Sequence, residues 1–256
     1  MDIVIVGSGN VATVIGRKAL EAGHNIIQVV SRNPDNSKRL ADELQTTHSS
    51  IQQIDRSALL YIIAITDSAL FGLDQWLHLD KAIVVHTAGS VSKEVLRKVS
   101  QNYGVLWPLQ SLRRESNAAV DFPLLVDANT PECLTILEDF ATSLSDRVKV
   151  MDDVQRRKMH LAAVISGNFS NHLFTLVNQY CKTEKLDFSL LQPMLYETVA
   201  RLSYSNPAEM QTGPAIRNDI ETMNRHMEML AHNEDLSEVY EMFSSLIISA
   251  YYKSKS

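Results

Sequence analysis

Several groups of residues in this chain have the types and spacing to do chemistry. The first is Gly7-Ser8-Gly9-Asn10-Val11-Ala12, directly after the apolar run Ile3-Val4-Ile5-Val6. In a G-x-G-x-x-A pattern the first glycine permits a tight turn, and the second lets the backbone approach a pyrophosphate with no side chain in the way. The small third residue lets helix and strand pack closely, while the free N–H groups at the helix start face the phosphates. An amphipathic stretch follows to Ala22, and Gly23 stands where a helix ends. The competing reading is a plain βα turn of a doubly wound sheet.

The second group lies after the next apolar run, Ile26-Ile27-Gln28-Val29-Val30. In a dinucleotide-binding fold this strand end meets the adenine ribose, and a carboxylate there would bond the 2′-OH. Ser31 and Arg32 stand there instead. A hydroxyl followed by a guanidinium suits a 2′-phosphate, because arginine matches phosphate with paired donors. NADP is therefore expected over NAD, with a solvated surface arginine as the alternative.

The third group is on a long helical run. At 100° per residue His160, Val164, Gly167, Asn168, Asn171 and Thr175 share one stripe, and from Met159 to Cys181 there is no charged residue. A polar face without Lys or Glu is expected to meet protein or ligand. Neutral donors and acceptors such as Asn171 can then hold a carbonyl or imine substrate, and His160 and Asn168 are the candidate catalytic residues, His160 transferring the proton that accompanies hydride. An interdomain or dimer seam of satisfied polar side chains is the rival. Thr212-Gly213-Pro214-Ala215-Ile216-Arg217-Asn218-Asp219 reads as a helix start favouring an anion, with Thr212 or Gly213 at its cap and Arg217 about one turn in for a substrate carboxylate or phosphate. An ordinary capped helix is the alternative there. Thr66 and Asp67, with Asp67 as a helix cap, and His86 and Thr87 follow strand ends and are placed to touch the cofactor. Trp107 is expected at the sheet edge and His226 at the surface.

The elements that position these groups fall into two halves. Residues 1–150 alternate short β-rich runs with helical ones, the signature of an α/β, Rossmann-type doubly wound parallel sheet. Residues 151–256 carry long helical runs and no convincing strand, with helices expected over 154–182, 188–203, 214–232 and 236–253, so a substrate and dimerisation domain is placed there. The 256 residues, 45% hydrophobic and 21% charged, describe an ordinary globular protein. A net charge of −6 argues against nucleic acid, and the polar residues of 159–181 argue against a lipid-spanning helix. Cys133 and Cys181 are too few for a disulfide framework, and no H-x-x-H or paired-carboxylate spacing suggests a metal. A first strand at residue 3 leaves no room for a targeting peptide, so a cytoplasmic location is expected.

Together the Gly7 to Ala12 run, Thr66-Asp67-Ser68, His86-Thr87-Ala88-Gly89, the His160 to His172 run and the Thr212 to Asp219 block resemble a poorly characterised bacterial family of Rossmann-like oxidoreductases with a helical C-terminal domain of unknown function. The group is similar in layout to pyrroline-5-carboxylate reductases, β-hydroxyacid dehydrogenases and NADP-dependent coenzyme reductases. The resemblance implies a C-terminal domain like that of 6-phosphogluconate dehydrogenase, a homodimer formed through it, and an active cleft between domains. Two departures stand out. β-Hydroxyacid dehydrogenases carry a Lys one turn before the Asn, where this chain has Val164. Asn218 also replaces the Gly of the group's R-G-D. The expected activity is hydride transfer between NADP(H) and a small carbonyl, hydroxy or imine compound. A catalytically idle NADP-binding sensor or partner-binding module is the alternative.

Overall fold

The computed structural model describes residues 1–115 and 121–252. Strand β1 (Asp2–Val6) alternates its side chains between two cores. Ile3 and Ile5 join Ile15, Leu40, Leu137 and Phe140 on one face. Val4 and Val6 join Leu70, Leu73, Leu77 and Leu96 on the other. A strand buried on both faces must be continuously apolar, which is why this run reads Ile-Val-Ile-Val.

The chain continues through α1 (Asn10–Glu21), β2 (Asn25–Val30), α2 (Pro34–Glu43), β3 (Thr47–Ser49), β4 (Leu60–Ile63) and the single turn α3 (Asp67–Leu70). Then come β5 (Ile83–His86), β6 (Asn102–Pro108), β7 (Leu124–Ala128), α4 (Pro131–Leu144) and β8 (Val148–Val150). Among the described residues the strands form one sheet in the order β3-β2-β1-β4-β5-β6-β7-β8. The chain therefore winds one way from β1 and returns to add β4 on the other side, which puts a topological switch point between β1 and β4.

The expected parallel sheet holds except at β6 and β7, which pair antiparallel from Gly104↔Ala128 to Pro108↔Leu124. An antiparallel pair needs no crossover helix. Trp107 lies in β6, inside the sheet, where the sequence suggested an edge. The second face is covered by short turns, α3 and the 3-10 turns at Leu73–Gln75 and Lys93–Leu96, and not by full helices.

Two compact units emerge, Met1–Gly167 and Asn168–Ser256. The first includes α5 (Asp153–Ala163), and the stretch Val164–Phe169, which joins α5 to α6 (Ser170–Thr183), is π-helical. An i→i+5 turn inserts a residue into the helix, so the continuous stripe drawn at i+4 spacing through Val164, Gly167 and Asn168 is interrupted. The second unit adds α7 (Gln192–Arg201), α8 (Ile220–Met229) and α9 (Glu234–Ile247), with Phe188–Leu191 a 3-10 turn before α7. Of the helix expected over 236–253, Lys253 lies outside the described residues. The helix expected from Pro214 is instead one 3-10 turn, Ala215–Arg217, followed by Asn218 at φ 53°, and Asp219 caps α8 through Thr222 N–H at 3.1 Å. The left-handed Asn218 breaks the helix that Pro214 had signalled. Among the described residues no helix is long and apolar enough to cross a membrane.

Candidate functional site

A cavity of about 860 Å³ opens at the switch point between β1 and β4. Its floor is the turn after β1. Gly7 has φ 123°, and a Cβ there would lie 2.1 Å from the carbonyl oxygen of Ala64. Its N–H donates to Val30 O at 2.7 Å, so the turn is pinned between β2 and β4 and only glycine fits. At Gly9 a Cβ would meet nothing within 4 Å among the described residues. The second glycine thus leaves open space where a phosphate would approach. Gly9 caps α1, no side chain of the described residues caps the helix and its first turn holds no acid, so the leading N–H groups are left for an anion.

Gly7, Ser8, Gly9, Asn10, Val11, Ser31, Arg32, Thr66 and Thr87 all line this cavity. Ala12 is buried behind it and serves packing. Ser8 Oγ donates to Ser31 Oγ at 2.9 Å, and Asn33 N–H donates to the same oxygen at 3.3 Å. With both of those donors pointing at it, the Ser31 hydroxyl has its own proton left to give to a phosphate beside Arg32. Sequence reasoning missed Trp76, Phe71 and Leu112 on the cavity wall, which no local pattern marks. It also missed Arg114, whose Nη2 donates to Ser8 O, and Arg17, whose Nη1 donates to Arg114 O at 2.6 Å.

Asp67 and His86 do not line the cavity. Thr66 caps α3, so Asp67 is no cap; its carboxylate accepts from Ser90 Oγ. His86 is fully buried. Ala88 N–H donates to its Nδ1 at 3.2 Å, which fixes the proton on Nε2, and Nε2 donates to Ser92 O at 3.3 Å. Burial, then the nearby Arg156 charge, lowers its pKa to about 4, so the ring is neutral and structural near neutral pH.

His160, half-buried on α5, lies within the first unit. Its ring centroid is 5.6 Å from that of Trp107, and a Cβ on Gly89 would fall 2.6 Å from His160 Cδ2 and 2.5 Å from Trp107 Cε2. The three therefore meet at the loop after β5. In the second unit Asn168, Asn171, Thr212 and Arg217 are exposed. Thr212 borders a separate apolar cavity of about 610 Å³ with Leu173, Pro214, Leu230 and Phe243. His226, expected at the surface, lines that cavity, its Nδ1 2.8 Å from Tyr240 Oη. Among the described residues no group of three or more His, Cys, Asp or Glu is arranged to hold a metal.

Residues 2–89 match the family model described as NADP oxidoreductase, coenzyme F420-dependent, and residues 122–247 match the one described as a domain of unknown function, DUF2520. A solved structure from Bacteroides fragilis, described as "putative NADP oxidoreductase BF3122", is 32% identical, covers 97% of this chain and 98% of its own, and superposes with a TM-score of 0.90. This chain belongs to that NADP oxidoreductase family, as the motif resemblance implied. The 1-pyrroline-5-carboxylate reductase of Streptococcus pyogenes is 15% identical over 97% of this chain and 98% of its own, with a TM-score of 0.66. A reductive aminase from Aspergillus terreus, solved with NADPH and ethyl-5-oxohexanoate, is 15% identical over 98% of this chain and 94% of its own, with a TM-score of 0.73. These two share the fold. No curated protein matches.

Proposed function

We propose that this protein is an NADP(H)-dependent reductase or dehydrogenase acting on a small carbonyl, hydroxy or imine compound. The observation that carries the reading is the switch-point cavity, with an uncapped helix N-terminus and open glycine at one end and Ser31 with Arg32 where a 2′-phosphate would lie. The cofactor supplies the hydride chemistry, and the protein supplies binding, orientation and a proton. Gly7, Ser8, Gly9, Asn10 and Val11 hold the pyrophosphate, and Ser31 and Arg32 select NADP over NAD. Thr66 and Thr87 flank the remainder of the cofactor. Asp67 and His86 contribute from behind, by fixing the loop that bears Thr87. An imidazole nitrogen of His160 gives or takes the proton. Asn168 is the second catalytic residue, and Asn171, Thr212 and Arg217 bind the substrate, Arg217 through an acidic group.

In this reading residues 1–150 hold the cofactor and the helices from residue 151 serve substrate and a homodimer. Only Leu176, Cys181, Ala215, Met223 and Leu230 are buried among the described residues of the second unit. Helix α7 buries none of its own, and Met194, Tyr196 and Val199 stand exposed on it. Apolar side chains left in water at this density favour association, and a second copy is the occupant we assign. The protein is placed in the cytoplasm, with Cys133 and Cys181 as free thiols.

Substrate-dependent loss of NADPH absorbance should disappear in His160→Ala and Asn168→Ala while NADPH affinity survives. Tight NADPH binding with no turnover across a broad panel of carbonyls, hydroxy acids and imines would favour an idle sensor. Sedimentation should give twice the 28.7 kDa chain mass, and a monomer at micromolar concentration would refute the dimer.

A further inference from the structure

The loop after β5, Thr87 to Ser92, is fastened at almost every residue. Ala88 N–H bonds His86, Ser90 Oγ bonds Asp67, and the Val91 carbonyl accepts from Arg156 Nη2. Ser92 Oγ donates to Asp153, and the next N–H, that of Lys93, donates to Asp153 Oδ1 at 3.2 Å. Asp153 and Arg156 are themselves paired at 2.6 Å. Burial alone would raise the Asp153 pKa, but the bonds from Ser92, Arg156 and Lys93 N–H outweigh it and hold the carboxyl below its ordinary value, so it is an ionised acceptor.

Arg156 is the unusual member. It is completely buried, its Nε and Nη1 have no hydrogen-bond partner among the described residues, and Nη1 stands 4.0 Å from Asp127, whose carboxylate is taken up by Lys93 at 2.7 Å. A buried guanidinium with two orphaned donors is a poor way to stabilise a fold, and an apolar side chain of similar volume would cost less. What the guanidinium does make are bonds from Nη2 to the Val91 carbonyl and to Asp153, which tie α5 to the loop after β5. Along α5, positions 153, 156 and 160 follow each other at three- and four-residue spacing, so they share one helix face. Two members of that face grip residues 91–93, and the third presses on Gly89 and Trp107.

We propose that Asp153 and Arg156 are positioning residues: they clamp the first turn of α5 to the loop after β5, so that His160, one turn further along, is held against Trp107 over Gly89. This rests on the assignment of His160 as the proton-transferring group. The clamp fixes where the imidazole stands relative to Thr87 and the cofactor cavity, and a displacement of about 1 Å at such a point can cost about a hundredfold in rate.

The test uses Trp107 as a reporter, since a protonated imidazole in contact with an indole quenches its emission. In the full-length protein, the part of the pH-dependent emission change that His160→Ala abolishes is the contact signal. Asp153→Asn and Ser92→Ala should cut that signal at least twofold, while Ser92→Thr, which keeps the hydroxyl, retains it. NADPH affinity by calorimetry should stay within about threefold of wild type, because the phosphate-binding turn is elsewhere, and that binding certifies a folded cavity. Once a substrate is known, Asp153→Asn should lower kcat with the NADPH KM unchanged. Arg156→Met is the most direct variant, and if it does not fold the other two decide. A full-sized contact signal in folded Asp153→Asn and Ser92→Ala overturns the clamp. Absence of NADPH binding in wild type would instead overturn the reductase reading, leaving the clamp measurement intact.

Discussion

Lowering the pH from 7 to 4 should destabilise this protein through one residue above others, His86. In the unfolded chain its imidazole takes up a proton near 6.5; in the fold, burial and the Arg156 charge delay this to about 4. Across that window the unfolded state binds more protons than the native state, so stability falls as the pH falls. Each tenfold difference in proton affinity is about 1.4 kcal/mol, and two and a half decades give roughly 3 kcal/mol once pH 4 is reached. For a chain of this size that is on the order of 10 °C in melting temperature. Asp153 loses its contribution only as the pH enters the ordinary carboxylate range, where the unfolded chain begins to take up protons, so it acts at the lower end of the window and equally in the two proteins compared below. Thermal melts of wild type and His86→Gln from pH 7 to pH 4 isolate the effect: wild type should lose roughly 3 kcal/mol more than the variant, which carries no titrating ring. Parallel pH profiles for the two proteins, or an imidazole signal from His86 titrating near 6.5 by NMR, would refute the reasoning.

Other substitutions probe the cavity and its surroundings. Gly7→Ala should destabilise by about 1–3 kcal/mol from the backbone conformation alone, with more from the 2.1 Å approach to Ala64 O, and should abolish NADPH binding by calorimetry. Gly89→Ala drives a methyl into Trp107 and His160, so it should shift Trp107 emission and lower the melting temperature; an unchanged spectrum contradicts the packing. Arg32→Ala should weaken NADP at least tenfold more than NAD, about 1.4 kcal/mol of selectivity, and equal losses would remove the 2′-phosphate argument. Cys133, buried and with its thiol pushed up to about 11, should resist a thiol-specific reagent at pH 8 until denaturant is added.

The parts of the fold that local chemistry dictates were legible in the sequence. The β1 turn is set by which residues tolerate φ 123° and a carbonyl at 2.1 Å, and glycine announces that directly. Helix α4 begins at Pro131 behind the Thr130 cap, and a threonine followed by proline is a start signal readable from the local sequence. What failed depended on backbone choices and partners that no local pattern marks. Pro214 is an equally good first residue for a helix and for a 3-10 turn, and only the left-handed Asn218 decides between them. The π turn at Val164–Phe169 leaves no mark on an apolar pattern. Asp67 carried a capping signal, yet Ser90 takes its carboxylate from 23 residues away. The meeting of Gly89, Trp107 and His160 joins three elements that no periodicity relates, so the sequence offered His160 without its setting.

The central claim is that the switch-point cavity holds NADP, and calorimetric titration of the full-length protein with NADP⁺ and NAD⁺ tests it most directly. One NADP⁺ per chain with at least tenfold preference over NAD⁺ is the predicted result. No heat with either dinucleotide on folded protein, or a preference for NAD⁺, would contradict it.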